Sequence, residues 1–388
     1  METKKKPRES NIELMRIVAM IMIITFHILR HSIRDQLTDT SLINLFGTQD
    51  YFCHPKFYSK LMWLYLIMPL GKIGNGMFIM ISGYFMASRK INLVRTGKKL
   101  VEQMAYITIV LMFVSYAFFS FFYDGTAGIK VNLTSLERFN NNSWFIGYYI
   151  LIIIVAGLLL NKYLQKWDKR NYLVFLSVVF CIVSFGWSGD FLEGISDDLR
   201  ILGIGIFYYA LGGYLRRFDP FKDVKTGVFV VLIILINLFL MFSYRNQVLD
   251  AIVDYQFGSK KSYFVQPFEI IPEYSWIAVL LSVCVFCIFT RIHIKPNRFI
   301  NFLGSATFMI YLFHDNNFMY SLWKCIDWIG PLKKNLGLFV LRYAFWVALI
   351  FVAGTVFYLI YLQLVRLIRF IWRCCKKQTV DEITSYIR

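Results

Sequence analysis

Apolar residues along the chain fall in runs of about 17–25, separated by short polar segments, and a run of that length crosses a bilayer as a helix. Ten such runs can be marked, at roughly 12–31, 66–88, 101–123, 143–161, 172–188, 200–215, 227–243, 274–290, 302–322 and 338–362. The pattern therefore predicts an all-α polytopic membrane protein with about ten transmembrane helices. The first run follows directly on Lys4, Lys5, Lys6 and Arg8, as a signal peptide would. No small-residue cleavage site comes after it, only Leu29-Arg30-His31, so it reads as an uncleaved first span. An even number of spans puts both termini on one side. Lys and Arg concentrate on the terminal segments and on 89–99, 162–170, 216–225 and 291–298, at roughly two for each one on the opposite set of loops. Both termini are expected in the cytoplasm, with a membrane domain over 1–365 and a basic cytoplasmic tail over 366–388.

Composition narrows the class further. Of 388 residues, 57% are apolar and 17% are charged, and soluble domains carry about 25% charged residues. Mean hydropathy is +0.54. Neither a large soluble domain nor a disordered chain fits these values. The net charge of +18 is distributed as topology requires and leaves no soluble face for nucleic acid, so no nucleic-acid partner is expected. The outer segments 32–60 and 244–273 are long and aromatic, and 188–199 is acidic, which suits either plain connectors or a docking surface for an extracytoplasmic partner. No internal repeat is visible, which counts against a secondary transporter. Cys181, Cys284 and Cys287 read as small hydrophobes in apolar runs. Cys53 and Cys325 both map to the outer side, where a pairing between them is open.

Ionisable groups inside spans are candidate functional groups. In the first span Glu13 and Arg16 stand three residues apart, a spacing that allows them to pair. Arg16 and His27 are eleven residues apart, or 1100° at about 100° per residue, within about 20° of three full turns. They share one helix face about 16 Å apart along the axis. An imidazole there can take a proton from a hydroxyl, and a cation at the inner edge can hold an anionic donor such as a pyrophosphate. The bland alternative is a snorkelling Arg16 and a hydrogen-bonded bundle histidine. His31 lies one turn beyond His27, but no further ligands accompany the two, so no metal is expected.

Other spans add candidates. Gly74, Gly76, Ser82 and Gly83 allow close helix approach, and Ser82-Gly83 is a point where the second span can kink or break. The basic cluster Arg89, Lys90, Arg95, Lys98 and Lys99 follows, either a topology signal or a phosphate site. Trp144 and Tyr148 open the fourth span as interfacial anchors or sugar-stacking rings. Tyr311 and His314 lie near the outer end of the ninth, at a depth similar to His27 if the topology holds.

Four ordered signatures resemble bacterial acyltransferase family 3. They are the Arg, ten residues, His of Arg16 and His27; the Phe78–Phe85 run with Ser82-Gly83; the Trp144-Phe145 opening; and Gly304 to His314. The resemblance covers most of the chain. It implies ten spans and transfer of an acyl group, usually acetyl, from cytoplasmic acyl-CoA (acetyl-CoA as co-substrate) to a hydroxyl of a cell-surface polysaccharide or its lipid-linked precursor. His27 would be the general base or a transient acyl carrier, and Arg16 would act with it. Arg89, Arg95, Lys98 and Lys99 would bind the donor, while Ser82, Trp144, Tyr148, Tyr311 and His314 would shape the acceptor site. The implied location is a bacterial inner or sole membrane. The implied partners are the lipid bilayer, the carbohydrate acceptor and other proteins of envelope polysaccharide biosynthesis. Two features depart from the family pattern: Asp315 stands where a Pro is frequent, and no clear Arg-x-Arg follows the second span. No fused esterase-like domain follows the tenth span, so delivery falls to the membrane domain or to a separate partner. A flippase or exporter of a lipid-linked saccharide or small acid is the competing class, and it needs no CoA. A non-catalytic envelope-assembly component is a third reading.

Overall fold

A computed structural model of the chain describes residues 8–38, 55–118, 144–186, 197–257 and 271–386, all helical or irregular, with no strand among them. The principal helices are α1 (Ser10–Ile28), α2 (Arg34–Thr38), α3 (Pro55–Leu64), α4 (Leu70–Met86), α5 (Leu93–Ala117), α6 (Trp144–Val155), α7 (Asn161–Leu164) and α8 (Lys169–Ser184). They continue with α9 (Asp197–Phe218), α10 (Thr226–Phe257), α11 (Trp276–Arg291), α12 (Arg298–His314), α13 (Asn317–Lys324), α14 (Ile329–Lys334) and α15 (Leu336–Tyr386). Single π turns, Leu29–Ile33 and Ala156–Leu160, join α1 to α2 and α6 to α7. Such turns recur at functional sites, and the first carries His31.

Five stretches are long and apolar enough to cross a membrane: Ser10–Leu37, Leu93–Ala117, Trp144–Leu164, Thr226–Asn246 and Leu336–Cys374. Trp276–Arg291 is a shorter apolar helix. The remaining expected spans coincide with α4, α8, α9 and α12, which are shorter or carry charges at their ends. Much of the expected outer segments 32–60 and 188–199 and the stretch 258–270 of the third lie outside the described residues, as does Cys53.

Three expectations need correction. Ser82-Gly83 does not break α4, which continues from Leu70 to Met86. Ser82 Oγ donates instead to Phe78 O at 3.0 Å within the helix, and Gly83 serves close packing. The basic segment is not a free inner loop throughout. Asn92 caps the N-terminus of α5 by accepting from Arg95 N at 3.0 Å, so Arg95, Lys98 and Lys99 lie on its first turns. The ninth expected span is not continuous. Helix α12 ends at His314, and Asn316 starts a new helix by accepting from Met319 N at 3.1 Å.

Helix α4 is the hub of the bundle, packed against α1, α9 and α11, while α12 sits between α1 and α15. Small residues make this possible. Any Cβ on Gly83 would run into the Tyr209 backbone of α9, and one on Gly212 would run into the Met80 carbonyl of α4. On the other side, Gly71 lies on the Phe26 ring and Gly74 on Ala19 O and Ile23. Helices α1 and α4 are therefore antiparallel, with Gly71 and Lys72 level with the His27 end of α1.

Candidate active site

His27, near the C-terminal end of α1, is buried, and so are His314 and Asp315 where α12 ends. The break after His314 lets consecutive residues face the same partner. His27 Nδ1 lies 3.2 Å from His314 Nε2 and 3.4 Å from Asp315 Oδ1. His314 Nδ1 is 2.7 Å from Ile310 O. A carbonyl oxygen only accepts, so His314 carries its proton on Nδ1 and offers Nε2 as an acceptor. His27 must then donate from Nδ1, which leaves the Nε2 lone pair of its neutral ring as the basic position.

Asp315 is held from two further directions. The hydroxyls of Tyr311 and Tyr320 both donate to its carboxylate, Tyr311 to Oδ2 and Tyr320 to Oδ1. His31 stacks on the Tyr320 ring at 3.9 Å between centroids and meets His27 edge-on at 5.7 Å. Asn316 locks the turn from behind by donating to Leu312 O and Phe313 O at 2.9 and 2.8 Å. A buried network whose members are satisfied fixes one geometry. The arrangement gives an oriented imidazole with a carboxylate beside it, suited to taking up a proton and stabilising the resulting cation.

A cavity of about 450 Å³ opens toward the N-terminal end of α1. Arg8, Arg16, Arg95 and Lys99 line it, together with Ser82, Tyr149, Phe145 and Tyr311. Four cations and no carboxylate are among the lining residues, a composition that favours an anion, although Glu13 behind the wall pairs with Arg16 and lies 3.7 Å from Arg8. Arg16 is braced by the buried Glu13, whose two oxygens accept from it at 3.1 Å each, as the three-residue spacing predicts. Gly304 leaves room for the Glu13 side chain. Ser82 Oγ and Tyr149 OH are 3.0 Å apart on the opposite wall. Tyr311 is shared between the two regions. It lines the cavity, bonds Asp315, and lies 6.3 Å from the His27 ring centroid.

Of the residues singled out in the sequence, Arg16, Ser82, Arg95, Lys99 and Tyr311 meet at this cavity, and His27 meets His314 just beyond it. Arg89 and Lys98 do not join them. Arg89 is exposed, and Lys98 points toward Glu102 at 3.8 Å on the exposed face of α5. Trp144 is 42% exposed and packs on Phe145 and Tyr148, whereas Tyr148 is buried against Gly205 of α9. Asp315 and Tyr320 were not foreseen as part of the centre. Their signal was a Tyr at each side of a buried Asp, four residues before and five after. Lys72, a charge inside an apolar run, was likewise passed over although such a residue is a functional candidate on its own.

Two histidines and a carboxylate are thus buried together among apolar helices, with a cationic cavity beside them, a set of groups that suits proton transfer inside a membrane bundle. The sequence profile of the acyltransferase domain, acyltransferase family 3, matches residues 9–363, and the chain belongs to that family. It is thus a membrane acyltransferase. No curated protein and no solved structure matches the chain.

Proposed function

We propose that the protein is an O-acetyltransferase of a bacterial cell membrane. In this reading it moves an acetyl group from cytoplasmic acetyl-CoA to a hydroxyl of a cell-surface polysaccharide or its lipid-linked precursor. Ten spans with both termini in the cytoplasm put the cationic cavity on the inner side and His27 deeper, toward the outer half. The observation that carries the reading is the shared position of Tyr311, which joins a phosphate-compatible cavity to the His27–Asp315 centre.

Arg16, Arg95, Lys99 and Arg8 hold the donor's phosphates, with the thioester arm directed inward past Ser82 and Tyr149. His27 Nε2 accepts the proton of the acceptor hydroxyl as its oxygen attacks the thioester carbonyl. The ester C–O bond forms, the C–S bond breaks, and the proton held by His27 passes to the departing thiolate. Asp315 stabilises the imidazolium between those two transfers, and His314 keeps the ring in the productive tautomer. Acceptor delivery draws on other proteins of envelope polysaccharide biosynthesis.

The test is release of CoA thiol by purified protein given acetyl-CoA and an envelope carbohydrate fraction. Release that needs both components and is weakened by Arg16→Ala supports the reading. Carbohydrate movement across vesicles without any CoA requirement would contradict it and favour a flippase.

A further inference from the structure

Level with His27, α4 carries a second polar group that the donor cavity does not use. Lys72 is buried two residues inside the start of α4 and pairs with Glu273, which lies just before α11. The Lys72 ammonium sits 5.8 Å from the centre of the Phe26 ring, and Phe26 adjoins His27. Three residues along, Asn75 is 8% exposed, and its Oδ1 is buried without a hydrogen-bond partner. Asn75 and Ser82 are seven residues apart, or 700°, about 20° short of two full turns. Asn75 is therefore on the cavity-facing stripe of α4, about 10 Å beyond Ser82 along the axis.

An ion pair and an unanswered amide oxygen are both costly in an apolar bundle. An apolar α4 would pack as well, so the group needs another reason to exist. Its chemistry is specific. A carboxylate and an amide oxygen accept from neighbouring hydroxyls, and an ammonium donates to a ring or hydroxyl oxygen. Because Lys72 is already compensated by Glu273, the cluster suits a neutral polyol better than an anion.

We propose that Lys72, Glu273 and Asn75 form the acceptor subsite, holding neighbouring hydroxyls of a neutral sugar so that one of them meets His27. The proposal rests on the acyl-transfer reading above. The subsite reads the acceptor only, so its loss leaves donor binding intact.

Asn75→Leu and Glu273→Gln are compared with wild type in membranes supplied with labelled acetyl-CoA and an envelope carbohydrate fraction, and acetyl-CoA affinity and thermal midpoint are measured on each purified protein. The Leu variant removes the orphan oxygen at nearly constant volume, so a purely structural Asn75 predicts unchanged or higher stability with unchanged transfer. The subsite predicts at least a tenfold loss of transfer in both variants, with acetyl-CoA affinity within twofold of wild type and no fall in the midpoint for Asn75→Leu. Transfer within twofold of wild type overturns the subsite. A parallel loss of acetyl-CoA affinity also overturns it and moves the cluster to the donor side. Wild type that neither binds acetyl-CoA nor labels carbohydrate brings down the acetyl-transfer reading on which the subsite rests, a result visible before any variant is compared.

Discussion

His27 Nδ1 and His314 Nε2 are 3.2 Å apart although 287 residues separate them in sequence. The contact exists because α12 packs along α1 and stops at His314. It also decides the protonation pattern, since His314 is committed to Ile310 O through Nδ1 and can only accept from His27. His314→Phe keeps an aromatic ring but removes that acceptor, leaving Asp315 alone to orient the His27 ring. Acetyl transfer is expected to fall about 10–100-fold, the equivalent of about 1.4–2.7 kcal/mol in the barrier. Acetyl-CoA affinity stays unchanged, and single-turnover transfer with pre-bound donor measures both.

Asp315 gives a sharper test of charge. Asp315→Asn is nearly isosteric and keeps an oxygen for a tyrosine hydroxyl, but it removes the negative charge beside His27. A charge-assisted contact contributes about 1.5–3 kcal/mol, so transfer should drop about 10–100-fold. Tyr320→Phe leaves the carboxylate in place and loosens only its orientation, so its effect should be smaller. Steady-state rates at saturating donor check the order, and equal losses in the two variants would deny the carboxylate a role of its own.

The cations divide into two groups by position. Arg16, Arg95 and Lys99 line the cavity, while Arg89 and Lys98 do not. Truncating any of the first three to Ala should raise the acetyl-CoA dissociation constant about tenfold or more, with a weaker salt dependence. Arg89→Ala and Lys98→Ala should stay within about twofold, as exposed charges do. Isothermal titration at two salt concentrations separates the groups.

The contact of α4 with α9 depends on two glycines facing opposite backbones, Gly83 on Tyr209 and Gly212 on Met80. Gly212→Leu has no room to relax, because its neighbour is a main-chain carbonyl rather than a movable side chain. Overpacking of this kind costs about 1–3 kcal/mol or more. A lower thermal midpoint in detergent, read by size-exclusion chromatography after heating, is the expected result. Gly97→Leu, with nothing within 4 Å, serves as the neutral comparison.

Much of the site was legible because membrane helices leave few polar positions. Arg16 and His27 announced a shared face through their spacing, and His314 entered through its place at the end of a run. Their meeting was not legible, since it depends on which helices pack together and on the break that Asn316 introduces. The basic segment was visible as composition, but only the register of α5 turns Arg95 and Lys99 toward the cavity and Lys98 away, while Arg89 lies in the connection before that helix. Asp315 was read as a departure from a family pattern. The structure gives the reason that matters physically, because two tyrosines donate to it and His27 faces it. Close helix approach at Gly74 and Gly83 was legible from their size, whereas the break also read at Ser82-Gly83 does not occur, because α4 continues to Met86.

The central claim is that His27 is the proton acceptor in acetyl transfer. The direct measurement is label from acetyl-labelled acetyl-CoA entering the carbohydrate fraction of membranes that hold equal amounts of folded wild type or His27→Ala protein. The account predicts that wild type transfers label and that His27→Ala loses about 10²-fold or more while binding acetyl-CoA as before. Transfer by His27→Ala at the wild-type rate would contradict it.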